Sequence, residues 1–255
     1  MEKLINTVVK VGSSSLINRG EIDVDLMSSI ARQVYFLREK SRFVMITSGA
    51  IASGKLTLGN GNGDDEIYKQ VLAAVGQRPL INTWGKAFDK YGIPTGLFLF
   101  AEGDLEKPTL PLNNALLRGI VPIINANDTV STEEVEKLAV SADNDRLACF
   151  VASYLLDSQK LILLTEAPGV LDVNGKVIRS INCVEDLLKI GNFDKTSIGT
   201  GGIESKILEA RRFINRLGKE AYIASASEDD VIIRIFNGED VGTKVTLPLQ
   251  GHFNI

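Results

Sequence analysis

The sequence predicts an α/β fold on an open, mainly parallel sheet, and three observations carry that prediction. Apolar runs at residues 4–11, 43–47, 95–100, 120–124 and 160–164 read as buried strands. Segments with apolar residues at helical spacing lie between several of them, as in Leu26, Ile30, Val34 and Leu37. The first, second and fourth strands run into small or polar residues: Gly12-Ser13-Ser14-Ser15, Ser48-Gly49-Ala50 and Asn125-Ala126-Asn127-Asp128. In open α/β sheets ligands bind at the carboxyl ends of the strands. A strand, helix and strand in succession implies a right-handed crossover between parallel neighbours, which sets the first two of these loops on one edge of the sheet.

Bulk properties exclude several function classes. At 255 residues, 44% hydrophobic and 24% charged, the chain can bury one large core, so a single domain over 1–255 is expected. No run is long and apolar enough to cross a bilayer, and Lys10 interrupts the first apolar run in a way a secretory leader does not, so a cytoplasmic protein away from membranes is expected. Cys149 and Cys183 lack a metal-ligand or redox spacing, and the single histidine, His252, leaves no material for a Ser-His-Asp triad or a histidine metal cage. A net charge of −4 without a basic cluster argues against nucleic acid as a partner.

Along the chain, Lys10 stands two residues before the end of the first loop-forming run, where its side chain can reach the sheet edge, and the bare amides after Gly12 can approach an anion closely. Asp23 is placed to cap the next helix. Residues 49–55 spell G-x-x-x-x-G-K, but Leu56 stands where a Walker loop needs a hydroxyl, so Gly54 is read instead as the end of a short helix. Residues 59–65 are a glycine-rich lid or connection. From Asp65 a helical stripe of Ile67, Val71, Leu72 and Val75 is expected in the core, and after a break near Pro79 it resumes as Leu80, Ile81, Trp84 and Phe88.

The polar cluster at residues 125–128 suits an amine or a carboxylate, and equally an ordinary turn. A hairpin or loop is expected over 130–138. Asp143-Asn144-Asp145 precedes an apolar helix over 147–156 and exceeds what capping requires. Asn174-Gly175 turns a small hairpin. Residues 199–206, Gly-Thr-Gly-Gly-Ile-Glu-Ser-Lys, give the stronger phosphate signal: flexible glycines open a helix striped by Ile203, Ile207, Ala210, Ile214 and Leu217, and Lys206 adds a full charge to the helix N-terminus. A further strand is expected at 221–224 and a helical turn at 231–236.

The ordered set Val8-Val9-Lys10-Val11-Gly12, Thr47-Ser48-Gly49-Ala50, Asn125-Ala126-Asn127-Asp128, Asp143-Asn144-Asp145 and Gly199 to Lys206 resembles the amino-acid kinase family, and within it the enzymes that phosphorylate glutamate. The resemblance runs through nearly the whole chain, including residues 70–77 and Val241-Gly242-Thr243. It implies an αβα sandwich with an acceptor-binding part up to about residue 155 and a nucleotide-binding part beyond. It also implies ATP with Mg²⁺ held mainly by the ATP phosphates, no metal site built from the protein, and a homo-oligomer, dimer or tetramer. Carried over by position, Lys10 and Lys206 would contact the transferring phosphoryl group and Asp145 would hold them. Ser48, Asn125, Asp128, Asp143 and Asn144 would surround glutamate, while Lys10, Gly12, Thr165, Glu166, Thr200, Gly201, Gly202, Ile203, Glu204, Ser205 and Lys206 would contact ATP. Glu166 departs from the usual aspartate, and the PUA domain that many relatives carry has no counterpart in this sequence.

Alternatives at this stage are a relative acting on N-acetylglutamate, aspartate, carbamate or UMP, and a non-catalytic ligand-binding protein of the same fold. The acidic and amide groups at 125–128 and 143–145 suit an α-ammonium better than a nucleotide acceptor.

Overall fold

The computed structural model describes residues 4–59, 65–100, 109–129, 144–190, 202–217 and 219–246. The chain opens with β1 (Ile5–Val11), a short helix α1 (Ser13–Leu16) and a ribbon of β2 (Ile17–Asn18) with β3 (Glu21–Ile22). There follow α2 (Val24–Leu37), β4 (Ser41–Thr47), α3 (Ala50–Leu58), α4 (Glu66–Asp89), β5 (Thr95–Phe100), α5 (Thr109–Leu117) and β6 (Val121–Ala126). The remainder comprises α6 (Asn144–Tyr154), β7 (Ser158–Thr165), β8 (Ser180–Ile181), α7 (Val184–Leu187), α8 (Ile203–Leu217), β9 (Glu220–Ser225), α9 (Val231–Phe236) and β10 (Thr243–Val245).

Eight of these strands form one sheet in the order β5-β6-β4-β1-β7-β9-β10-β8. Pairing from β5 to β9 is parallel throughout, and β10 joins β9 antiparallel. Alternate side chains therefore feed two apolar layers. Val8, Val44, Ile124, Leu161 and Ile223 pack on one face with Leu147 of α6 and Ile207 of α8. Val9, Met45, Ile123, Ile162 and Tyr222 pack on the other with Met27 of α2, Trp84 of α4 and Ile232 of α9. This is the αβα sandwich that the family resemblance implies.

Capping follows the sequence. Asp23 accepts from the Leu26 amide at 2.8 Å and Asp65 from the Ile67 amide at 3.0 Å, satisfying amides that each helix start leaves without a partner. The turn at Asn174-Gly175 forms, with Gly175 at φ 77° and Leu171 bridged to Val177.

Three local expectations fail, each to tertiary packing. Pro79 does not break α4, which runs unbroken to Asp89, because Leu80, Trp84 and Phe88 on its inner face are fully buried and hold the helix across the missing N–H. Ile67 and Val71 lie outside the core, 71% and 45% exposed, whereas Leu72 and Ala73 are buried against α3. Gly54 sits inside α3, and Gly59 ends that helix at φ 80°. The strand β10 and the helix α5 carry no clear periodic signal. The expected hairpin at 130–138 lies outside the described residues.

The contact between α3 and α4 explains Gly54. A Cβ on Gly76 would fall 1.9 Å from the Ala50 carbonyl and 2.2 Å from the Gly54 amide, and one on Gly54 would fall 2.0 Å from the Leu72 carbonyl. The helices cross backbone on backbone, so the start of α3, where Ser48 and Gly49 lie, is set by the position of α4. Gly76→Ala is expected to cost about 3 kcal/mol or more in urea unfolding. Gly85→Ala, on the same helix with only the Thr95 hydroxyl 3.9 Å from the added carbon, is expected to be neutral or stabilising by up to about 1 kcal/mol.

Candidate active site

Lys10 lies between Val9 and Val11, so the pleat turns it to the Val8 face, the face covered by α6 and α8. Both helices begin near that edge of the sheet, with Asn144 and Asp145 in the first turn of α6 and Glu204 to Lys206 in the first turn of α8. The three segments meet on one carboxylate. Lys10 Nζ is 2.7 Å from one oxygen of Asp145, and Lys206 Nζ donates to the other at 2.9 Å. Asp145 is wholly buried and each lysine is only 6% exposed. A carboxylate in the first turn also has the favourable end of the α6 dipole beneath it. Two ammonium groups against one carboxylate leave these three side chains with one net positive charge at a strand terminus, a setting that attracts an anion.

Backbone openings surround this centre. A Cβ on Gly12 would stand 3.9 Å from Lys10 Nζ, so glycine keeps the approach to the ammonium group clear. Gly49 takes φ 101°, which glycine tolerates without strain, and its α-carbon side abuts Ser13, 3.6 Å from the position a Cβ would take. The loops after β1 and β4 therefore touch, on the shared edge that the crossover argument requires. Ser48 is 8% exposed, and its carbonyl accepts from the Thr47 hydroxyl, which in turn accepts from the Trp84 indole at 3.0 Å.

The acceptor-side residues divide. Asn125 is fully buried as the fifth residue of β6, with its amide spent inside the protein: its Oδ1 accepts from the Ala126 amide at 2.9 Å and its Nδ2 donates to Gln77 Oε1 at 2.8 Å. It meets Gln77, which lies in the stretch 70–77 that carries part of the resemblance but to which the sequence gives no role at the site. Asp128 lies just beyond β6, and burial, with the Glu66 carboxylate nearby, pushes its pKa from 3.8 up to about 6. Glu66 in turn pairs with Lys69 at 3.5 Å. Asn144 has a buried Oδ1 that has no hydrogen-bond partner among the described residues.

On the other flank, Thr165 ends β7 opposite Ser225 of β9, and its carbonyl accepts from the Ala226 amide at 2.7 Å. Glu166 is exposed, and its carbonyl accepts from the Ser225 hydroxyl at 3.4 Å. Gly202 is exposed with open space around any added carbon, and Ile203, Glu204 and Ser205 follow it in the first turn of α8. Asp143, Thr200 and Gly201 lie outside the described residues. Among the described residues no group of three His, Cys, Asp or Glu is arranged to hold a metal ion, and no helix is long and apolar enough to cross a membrane.

Sheet order arranges all of this in a row. Reading β6, β4, β1, β7 gives Asn125, Ser48, Lys10 with Gly12, then Thr165, over three strand spacings or roughly 14 Å. A cationic centre with polar groups on both sides suits two anions meeting end to end.

Comparison with known proteins agrees. Residues 6–225 match the Amino acid kinase family. A glutamate 5-kinase of Thermotoga maritima is 36% identical over 94% of this chain and 68% of its own length. That of Shewanella halifaxensis is 39% identical over 94% of the chain and 67% of its own length. One from Alkaliphilus metalliredigens is 32% identical over 95% of the chain and 97% of its own length. Among solved structures, a carbamate kinase from Giardia superposes with TM-score 0.70 at 14% identity, covering 96% of this chain and 99% of that one. A Giardia lamblia carbamate kinase bound to AMP-PNP gives 0.66 at 16%, covering 97% and 100%. At such identity the two structures speak to the fold alone. With a parallel sheet of the same architecture, a match over most of its length and relatives above 30% identity, the chain belongs to the amino acid kinase family.

Proposed function

We propose that this chain phosphorylates the side-chain carboxylate of L-glutamate with ATP, yielding glutamyl 5-phosphate and ADP, the first step towards proline. The observation that carries this reading is the buried Lys10–Asp145–Lys206 bridge at the sheet edge, and the printed names of the relatives above 30% identity support the acceptor. The same enzyme in the cytoplasm, where ATP is supplied, completes the reading. Self-association into a dimer or tetramer belongs to it too, supported by Leu97 and Leu99, which stand exposed on the edge strand β5.

The chemistry asks for charge and alignment. A glutamate side chain, with a reference pKa near 4.3, arrives ionised at neutral pH, so no general base is needed. One carboxylate oxygen forms a bond to the γ-phosphorus as the bond to the β,γ-bridging oxygen breaks, and the electron pair leaves with ADP. The obstacle is the repulsion of two anions. Lys10 and Lys206 would neutralise the transferring group, held by Asp145 so that little reorganisation is needed as charge shifts. Mg²⁺ bound to the triphosphate supplies further charge neutralisation there. The open backbone at Gly12 and Gly202 fits phosphate oxygens, and Thr165, Glu166 and residues 200–206 would hold the nucleotide. In this reading the elements up to α6 serve the acceptor, with Ser48, Asp128, Asp143 and Asn144 around it and Asn125 acting through Gln77. Those from β7 onward serve ATP. The unpartnered Asn144 Oδ1 and the Asp128 carboxylate suit an α-ammonium group.

The decisive assay is ADP release with Mg-ATP across glutamate, N-acetylglutamate, aspartate and UMP, with hydroxylamine present to trap an acyl phosphate. Trapped hydroxamate with glutamate alone is expected, and preference for another acceptor would overturn the assignment. Lys10→Ala and Lys206→Ala are each expected to lower kcat by roughly 100-fold or more. Circular dichroism should remain unchanged, since Asp145 keeps the other lysine. Near-normal turnover in both would remove the mechanism.

Asp128 gives a pH dependence of definite sign. An ammonium group needs the carboxylate ionised, so KM for glutamate is expected to fall as pH rises through about 6, with kcat little changed. The stability sign is opposite. With the folded-state pKa raised, the folded chain binds the proton more tightly, so this contribution is complete below about pH 4 and lost as pH rises through about 6. Asp128→Asn should flatten both profiles, and a KM profile unchanged by that substitution would remove Asp128 from the acceptor site.

A further inference from the structure

The paired amides of Asn125 and Gln77 fix a direction. The Ala126 amide can only donate, so Asn125 must present Oδ1 to it, leaving Nδ2 to face α4. Gln77 must then accept through Oε1, and its Nε2 is left pointing away from Asn125. That nitrogen is buried and, among the described residues, has no hydrogen-bond partner. Its amide orientation is thus set by a chain of bonds that starts at a backbone N–H and does not depend on how an amide was assigned. A buried donor without an acceptor carries the full cost of its desolvation, so a ligand acceptor there gains more than one offered to a hydrated group.

Placement says which acceptor. Asn125 is on β6, and β4 lies between β6 and β1, so the strand whose Asn125 holds Gln77 is about two strand spacings, or roughly 10 Å, from the strand that carries Lys10, and α4, which carries Gln77, packs on the face of the sheet opposite Lys10. A group bound there belongs to the end of the acceptor remote from the transferred phosphoryl. Three residues beyond Asn125, on the same strand end, stands Asp128 with Glu66 beside it. The end of β6 and the facing helix α4 therefore offer a carboxylate and a buried N–H donor, complementary to the ammonium and carboxylate of an amino-acid head. Gln77 is also held firmly, because the adjacent Gly76 is locked against Ala50 and Gly54.

We propose that Gln77 is a specificity-determining residue of the acceptor site, its Nε2 donating to the α-carboxylate of the amino acid. The proposal rests on the functional reading above and deepens it. Gln77 supplies an N–H donor from within a long helix, whereas the Asp128 carboxylate and Asn144 Oδ1 supply acceptors.

The test is Gln77→Met, which keeps length and bulk but removes the donor, beside Gln77→Glu, which sets a carboxylate against a carboxylate. KM for glutamate should rise about tenfold or more in the first and further in the second, with kcat and KM for ATP within about twofold and thermal unfolding little moved. A glutamate KM within twofold of the parent in Gln77→Met overturns the proposal. So does a rise matched by an equal rise in KM for ATP with a lowered unfolding temperature, which would make Gln77 a strut for Asn125. A parent chain that ignores glutamate and turns over aspartate refutes the functional reading instead. Aspartate carries the same head group, and the same Gln77→Met comparison on aspartate decides the donor.

Discussion

The carboxylate of Asp145, shared between two ammonium groups, is the constraint on which the rest of this molecule turns. Burying three charges is costly, and replacing such a group by apolar side chains commonly leaves a protein as stable or more so. Its presence at a strand terminus is therefore poorly explained by stability. The explanation lies in what it positions. Lys10 comes from the first strand, Asp145 from the middle of the chain and Lys206 from a helix near the end, and no local rule brings them within 3 Å. The sheet does so, by setting β1 at its centre and by turning Lys10 to the face on which α6 and α8 begin.

Once that centre is fixed, strand order divides the two reactants. Asn125 and Ser48 lie on or beside strands to one side of β1, and Thr165 lies on the strand to the other, so in the proposed reading the two substrates would enter from opposite flanks and meet over the cations. The flank of Asn125 and Ser48 is tied to α4 by two side-chain bonds, the buried one from Trp84 to Thr47 and the partly buried one from Asn125 to Gln77, and by the glycine crossing with α3. Alignment of this kind is worth several kcal/mol of barrier when the reacting atoms have no other reason to approach. The same packing explains why a helix that carries a proline is nonetheless unbroken at it: α4 is the bar against which the ends of β4 and β6 are held.

Much of this was legible in the residues because it depends on short range. Apolar runs ending in glycine and serine mark strands and their loops, and Asp23 and Asp65 mark helix starts, since each signal lies within one turn of what it controls. Lys10 and Lys206 stand out because a lysine beside bare backbone has few structural reasons to be there. Pro79, Gly54 and the exposed Ile67 were misread because local propensity cannot report a helix crossing that forms only when α3 and α4 meet. Gln77 escaped for the same reason. Nothing in its neighbours says that Asn125, some 48 residues on, will fix which way its amide faces. Asn125 stands out as a polar residue at a strand end, but only the tertiary bonds disclose that its amide is engaged by another side chain and a backbone N–H.

The central place of β1 bears on how the chain acquires its shape. β1 finds β4 soon after both are made, but its other neighbour is β7, and the bond from the Asn6 side chain to the Leu156 carbonyl spans 150 residues. On a ribosome the first strand must therefore wait, one edge unpaired and apolar on both faces, until more than half the polypeptide has emerged. Closing so long a loop is slow, and an open strand edge invites partners from other chains in the meantime. The yield of active protein should thus be governed by shielding of the nascent amino-terminal half, a matter for chaperones and growth temperature rather than for the thermodynamics of the finished fold.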